Sequence, residues 1–446
     1  MTLLKTFKGD AMNNKNNLLI VLIICMYSIL TISELIAQDA KVPGGDQKVP
    51  LGAEVRNGKL LFSSKDGDFK WWFDSRIQMD GAYYYENKNP MSNGITFRRL
   101  TFAMKALLWK DWEAEVDIDF AEQVSTKSQV ELRDMWIKYN VPYVNLSFQA
   151  GHFKEPLGME RLNSSRLLTF LERSSITNAI ALGRRAGIAT RYWSDNYQVT
   201  GAIMFHETGQ RIDKGQRDYA YSTNLRASVA PINQFGHNLH LGLAGSYKLP
   251  EVNAELRANT IEISARTETY VSNPKLLHTG DIADVNYYNR YGFEAMYING
   301  PFLIQSEMLG TSIYRWYGRR TVNLKGGYVM AAYVLTGENR YYYVDEGEVG
   351  PIEAPKSSWG AVEIAARYTH TNLNANLNTS LDANDAPVRG GLANQYMFGI
   401  NYYPNTNIKI QFNYSFVNVD ENATRKGNLI GGDDHSFIQM RLQASL

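Results

Sequence analysis

The residues best suited to chemistry in this sequence are arginines and lysines. The stretch 151–187 carries Lys154, Arg161, Arg166, Arg173, Arg184 and Arg185 against Glu155, Glu160 and Glu172, an excess of three positive charges. A second set, Arg76, Arg99, Lys105, Arg191, Arg226, Arg290 and Arg367, falls on the polar phase of segments that alternate polar and apolar residues. Arg98 falls on the opposite phase, near a segment end. A guanidinium presents a planar fork of donors that fits phosphate or carboxylate oxygens and keeps its charge. At about 4 Å and an effective dielectric near 20, one such pair is worth ~4 kcal/mol before desolvation. These cations could hold small anions. They could equally brace a wall by pairing with carboxylates, and Glu113, Glu115, Asp117 and Asp119 form a ready stripe of partners. Glu155 and Pro156 read as shaping the stretch, because proline fixes a bend and restricts the residue before it.

Catalysis has less support. Neither Gly-x-Ser-x-Gly nor His-Glu-x-x-His occurs, and the seven histidines are scattered. Nothing calls for a cofactor or a metal. Cys25, the only cysteine, sits inside an N-terminal apolar run, so a chain cut beyond it has neither disulfide nor cysteine nucleophile. Lys+Arg is 46 and Asp+Glu is 45, a balance that gives no reason to expect nucleic acid. Tyr314, Trp316, Tyr317 and Tyr341–Tyr343 could stack on sugars in an uptake barrel that works with partner proteins. Anchoring at a membrane interface is the plainer reading of such rings.

The elements that must position these residues repeat with period two. In 112–120, Trp112, Ala114, Val116, Ile118 and Phe120 share one face while Glu113, Glu115, Asp117 and Asp119 share the other. Strand side chains alternate in this way, whereas a helix would scatter the charges around its girth. The pattern predicts sixteen strands, beginning near 69, 96, 112, 130, 143, 186, 196, 218, 237, 286, 301, 321, 357, 393, 406 and 434. Short turns, such as Lys110-Asp111 and Asn299-Gly300-Pro301, alternate with long links at 153–185, 249–285 and 370–393. Residues 337–357 break the rhythm, being long where a short turn is due, which leaves room for a count different by two.

Many segments exceed the usual 5–6 residues of sandwich strands and suit the ~9–11 needed to cross a bilayer. Trp72, Tyr83–Tyr85, Trp109, Trp112, Trp193 and Tyr402–Tyr403 sit near segment ends, where interface rings belong. In lipid no strand edge can stay unpaired, so the sheet must close. The expected fold is all-β, a transmembrane antiparallel barrel over 67–446. Sixteen strands leave an aqueous lumen. Arg98 could then be a headgroup contact, and it counts with the other cations as a candidate anion-binding residue. Lys5, Lys8 and Lys15 followed by the apolar run Leu18–Leu30 read as a signal peptide over 1–37. The Gly-, Pro- and Lys-rich stretch 38–66 reads as a flexible periplasmic lead-in. The chain ends in Leu446, where many outer-membrane proteins end in Phe or Trp.

A series of short stretches carries a family likeness. In order they are Phe97-Arg98-Arg99-Leu100, Trp109-Lys-Asp-Trp112, Leu132-Arg-Asp-Met-Trp-Ile-Lys-Tyr139, Gly151-His-Phe-Lys-Glu-Pro-Leu-Gly158, Thr169-Phe-Leu-Glu-Arg173 and Gly183-Arg-Arg-Ala-Gly187. Thr336-Gly-Glu338, Trp359-Gly-Ala-Val-Glu-Ile-Ala-Ala-Arg-Tyr368 and Asn401-Tyr-Tyr-Pro-Asn405 follow. The sequence resembles the phosphate-selective porin O and P family from about 69 to 446. The resemblance implies a sixteen-stranded barrel in the bacterial outer membrane, assembled as a homotrimer, with a third outer loop folded inward to narrow the pore. It also implies small anions such as phosphate as the solutes met by the cations named above.

Overall fold

The computed structural model describes residues 51–56, 59–121, 130–205, 220–250, 259–272, 274–378, 386–424 and 427–445. Sixteen antiparallel strands, from Arg76–Tyr85 to His435–Ser445, pair in chain order. The last strand pairs with the first, from Ser436 opposite Tyr85 to Ser445 opposite Arg76, and closes the cylinder. Burial is inverted relative to a water-soluble globule. Met308 is 62% exposed, and Phe102, Leu225, Leu243, Phe293 and Phe398 also face outward. Arg441 is 0% exposed, and Gln78, Arg226, Glu294, Gln411 and Asn413 are buried with it. An oily outside and a polar inside is what a barrel in lipid requires.

The predicted starts near 112 and 237 coincide with the strands Trp112–Asp119 and His237–Lys248. Those near 218, 357 and 393 begin at Ser222, Ala361 and Val388 instead. The link 370–393 is shorter than its composition suggests. Strand Ala361–Ala375 continues through Thr371-Asn372-Leu373-Asn374, where polar residues on both faces hide the alternation. Residues 337–357 add no crossing strand. Between the strands Val322–Val334 and Ala361–Ala375 they form a small hairpin, Arg340–Tyr343 with Glu348–Ile352, so the count stays at sixteen.

The expected lead-in 38–66 needs correction over its second half. Leu51–Arg56 and Lys59–Ser64 form a hairpin, and Lys59–Ser64 pairs onward with Phe69–Phe73. The reason lies at Asp74 and Ser75, where the first barrel strand breaks. Below the break, Phe69–Phe73 stays paired with Met104–Leu108, but the last strand pairs only from Arg76 upward. One edge of Phe69–Phe73 is thereby left bare, and an open edge recruits a strand. Phe62 and Trp71 stack across this junction, with ring centroids 4.0 Å apart. The predicted signal peptide, 1–37, and the first half of the lead-in lie outside the described residues.

Among the described residues, three segments turn into the lumen. Residues 155–183, which include the short helices Met159–Leu162 and Ser175–Ile180, cross it and touch the wall on several sides. Residues 266–272 of a second outer loop pack beside them, with Ser175 N–H donating to Glu268 at 2.9 Å. The hairpin 340–352 rises from the short-turn side to meet them, and Val349 N–H reaches Asn163 Oδ1 at 3.3 Å. Two glycines make the first crossing possible. A Cβ on Gly151 would lie 2.3 Å from the Met135 carbonyl oxygen, and Gly158, at φ +83°, sits where a side chain would press on Glu307.

Candidate functional site

The crossing segment is tied to the wall by its carboxylates. Glu172 accepts from Arg98 Nε at 2.7 Å and from Arg441 Nη2 at 2.8 Å. Arg441 also grips Asp80 with both arms, at 2.6 and 2.7 Å. Glu160 pairs with Arg367 at 3.2 Å and accepts from the Ser174 N–H and O–H. Glu155 pairs with Arg290 at 2.7 Å. Burial works to raise both Glu172 and Glu155. The guanidiniums of Arg98 and Arg441 override it and hold Glu172 well below the usual carboxylate range. Arg290 and Lys248 hold Glu155 at about 2. Both carboxylates are charged at any physiological pH, so the ties persist.

A second group of cations meets only neutral acceptors among the described residues. Arg161 Nε donates to the Ala181 carbonyl at 2.8 Å. Arg173 donates to the carbonyls of Glu160 at 2.7 Å and Asn163 at 2.6 Å. Lys154 donates to the carbonyls of Leu162 and Asn163. Arg76 meets Ser165 Oγ, Arg99 meets Gln78 Oε1 at 2.8 Å, and Lys409 meets the Leu168 carbonyl at 2.6 Å. Burial works against the charges on Arg161 and Arg173, and each also feels a neighbouring guanidinium. Guanidinium nonetheless keeps its proton near neutrality. Neutral acceptors orient these arginines without cancelling their charge.

A third group braces the wall. Lys105 bridges Asp74 at 3.2 Å and Glu115 at 3.5 Å, and Lys138 meets Glu113 at 2.8 Å. The stripe at 113–119 is therefore laddered by cations from both flanking strands, as cross-strand opposite charges should be. Arg133 spans Asp117 and Asp119, Arg184 meets Asp134 at 2.6 Å, and Arg226 meets Glu294 at 2.7 Å. Glu115, Asp117 and Asp134 bring three carboxylate oxygens within 4.8 Å of one another, but Lys105, Arg133 and Arg184 already supply the countercharge. Two further pairs tie the crossing segment to the wall: Arg166 meets Asp74 at 3.3 Å, and Arg185 lies 3.7 Å from Glu155.

The sequence-predicted cations thus sort into ties between segment and wall (Arg98, Arg166, Arg185, Arg367), braces within the wall (Lys105, Arg184, Arg226) and basic groups on neutral acceptors (Arg76, Arg99, Lys154, Arg161, Arg173). Arg98 corrects the expectation of a headgroup contact. Gln78 faces Arg99 while Met79 faces Phe97, so Arg98 is the extra residue of a bulge and swings inward to Glu172. Arg133, Arg340, Lys409 and Arg441 also face inward and were not among the predicted site residues. For Arg441 and Lys409 the signal was present. Each is flanked by outward apolar residues, Met440 and Leu442 in one case and Ile408 and Ile410 in the other.

A closed sixteen-stranded cylinder with an oily exterior, a polar interior and an inward loop set with cations defines an outer-membrane porin. A family model described as phosphate-selective porin O and P matches residues 73–445, and the chain belongs to that family. Porin O of Pseudomonas aeruginosa is 24% identical over 424 residues, covering 88% of this chain and 92% of that protein. Among solved structures, an anion-selective porin from Comamonas acidovorans superposes with a TM-score of 0.53 at 12% identity, over 85% of this chain and 100% of that one. A loop-deleted form of OmpT, an outer membrane protein of Vibrio cholerae, gives 0.53 at 10% identity over the same shares. These likenesses speak for the fold. The protein resides in the bacterial outer membrane.

Proposed function

We propose that the channel passes small anions, phosphate among them, by diffusion, works as a homotrimer, carries out no catalysis and is exported by the signal peptide 1–37. The observation that supports the anion preference is the group of cations around the crossing segment that, among the described residues, meet no carboxylate: Arg76, Arg99, Lys154, Arg161, Arg173 and Lys409. Selectivity for an ion calls for opposite charge at the narrow part of a pore, with several sites so that the ion can move on. Neutral acceptors hold these side chains in place while leaving their field available. The phosphate selectivity for which the family is described, the anion selectivity of the Comamonas porin and the trimer form of Vibrio cholerae OmpT point the same way. Reversal potentials in a salt gradient across a planar bilayer test the reading. Anion preference and a chloride current that falls as phosphate is titrated in are expected. Cation preference without phosphate block rejects the anion reading, and absence of conductance rejects the channel.

A further inference from the structure

The short-turn end of the lumen holds a chamber of about 980 Å³, framed by the N-terminal hairpin, the broken first strand, the crossing segment and the hairpin 340–352. Its size is near the top of the range for small-molecule sites, roughly 300–1,000 Å³. Among the described residues, five basic side chains line it (Lys59, Lys70, Arg166, Arg340 and Lys409) against one carboxylate, Glu353. Among the described residues, only Arg340 has a carboxylate of its own, Glu363. Lys59 and Arg166 share Asp74 with Lys105, at 3.6, 3.3 and 3.2 Å, and of the three only Lys105 has a second carboxylate, Glu115 at 3.5 Å. The same walls carry rings: Trp72, Tyr341, Tyr343 and Tyr403. Trp72 shares its strand face with Lys70, two residues away, so ring and charge look into one space.

A bare phosphate ion uses cations and donors and gains nothing from flat apolar walls. A solute with a phosphoryl group and a ring uses both. We infer that the chamber is a holding site for organic phosphates with a planar ring, represented by nucleoside monophosphates. The phosphoryl group lies among the cations and the ring stacks on Trp72 and Tyr343. The inference rests on the anion reading and narrows it to a solute class.

The test uses the full-length protein in a planar bilayer, with adenosine monophosphate, ribose 5-phosphate and inorganic phosphate each added as blockers of chloride current. Half-block by adenosine monophosphate is expected at a concentration about tenfold below that of either other compound, the scale of one base stacked on a ring. Trp72→Ala with Tyr343→Ala should raise that concentration about tenfold and shift the inorganic phosphate value by less than about twofold. Heat-dependent gel migration checks that the variant folds; the single substitution Tyr343→Leu serves if it does not. Equal block by the three compounds with anion selectivity intact overturns the holding site alone, as does an aromatic variant that leaves adenosine monophosphate block unchanged. Loss of anion selectivity in the unaltered protein overturns the anion reading and the holding site together.

Discussion

Glu172, itself buried, holds two arginines from opposite sides of the barrel seam, the partly exposed Arg98 and the fully buried Arg441. Removing one partner of a buried pair strands the other and costs about 3–5 kcal/mol. Glu172→Gln is therefore expected to lower the midpoint of denaturant unfolding and to raise single-channel conductance, because the segment loses a tie. Arg161 and Arg173 make the contrasting case. They donate to carbonyls of their own segment, so Arg161→Gln with Arg173→Gln should lower the chloride-to-potassium permeability ratio and move the unfolding midpoint far less. A ratio unchanged in that double variant would remove these two from the selectivity argument. Much at this scale was legible, because phase alone placed Arg76, Arg99, Lys105, Arg226 and Arg367 inside. Partnership was not legible. The ties of Arg367 to Glu160 and Glu268 span 207 and 99 residues, and no local pattern encodes them. Arg98 was misplaced because one inserted residue inverts the phase beyond it.

The hairpin 340–352 shows both reach and limit at the level of elements. Its sequence stands out as a broken rhythm, yet nothing within it says which way it folds. That is decided by distant residues: Arg226 donates to the Glu346 and Gly347 carbonyls at 2.8 and 2.7 Å, and His240 Nδ1 meets the Tyr342 hydroxyl at 2.7 Å. The hairpin also brings a titratable group into the lumen. Burial and the adjacent Glu346 push the Glu348 carboxyl up to about 7. Below that pH the group is neutral; above it the group adds a negative charge beside a cationic path. Anion preference should accordingly weaken as pH rises from about 6 to about 8, and Glu348→Gln should flatten the trend. A reversal potential that ignores pH in the unaltered protein would count against this role. Replacing 341–351 with a two-residue turn should increase conductance in the same bilayer.

Across the whole molecule, the order of the strands and, away from the bulge at Arg98, their phase were readable because lipid outside and water inside impose one rule on every crossing. Stretches freed from that rule were the ones misjudged: the polar ends of Ala361–Ala375 and Val388–Tyr403, and the hairpin 51–64 beneath the barrel. Closure predicts behaviour as well. With the last strand hydrogen-bonded to the first over ten residues, the folded barrel should migrate faster than the boiled chain on a detergent gel, and an unboiled species of three times the mass should accompany a homotrimer.

The crossing segment is fastened to nine strands spread over the cylinder, through Arg76, Arg98, Arg185, Ser222, Arg290, Arg367, Asn401, Gln411 and Arg441. A flap on a hinge can swing while its frame stands still; a bridge moored on every bank cannot. The aperture can widen only if the cylinder itself deforms, against the stiffness of an unbroken ring of hydrogen bonds. Recorded current should then be quiet, free of rapid flicker between levels, and should rise with temperature no faster than ions diffuse in water.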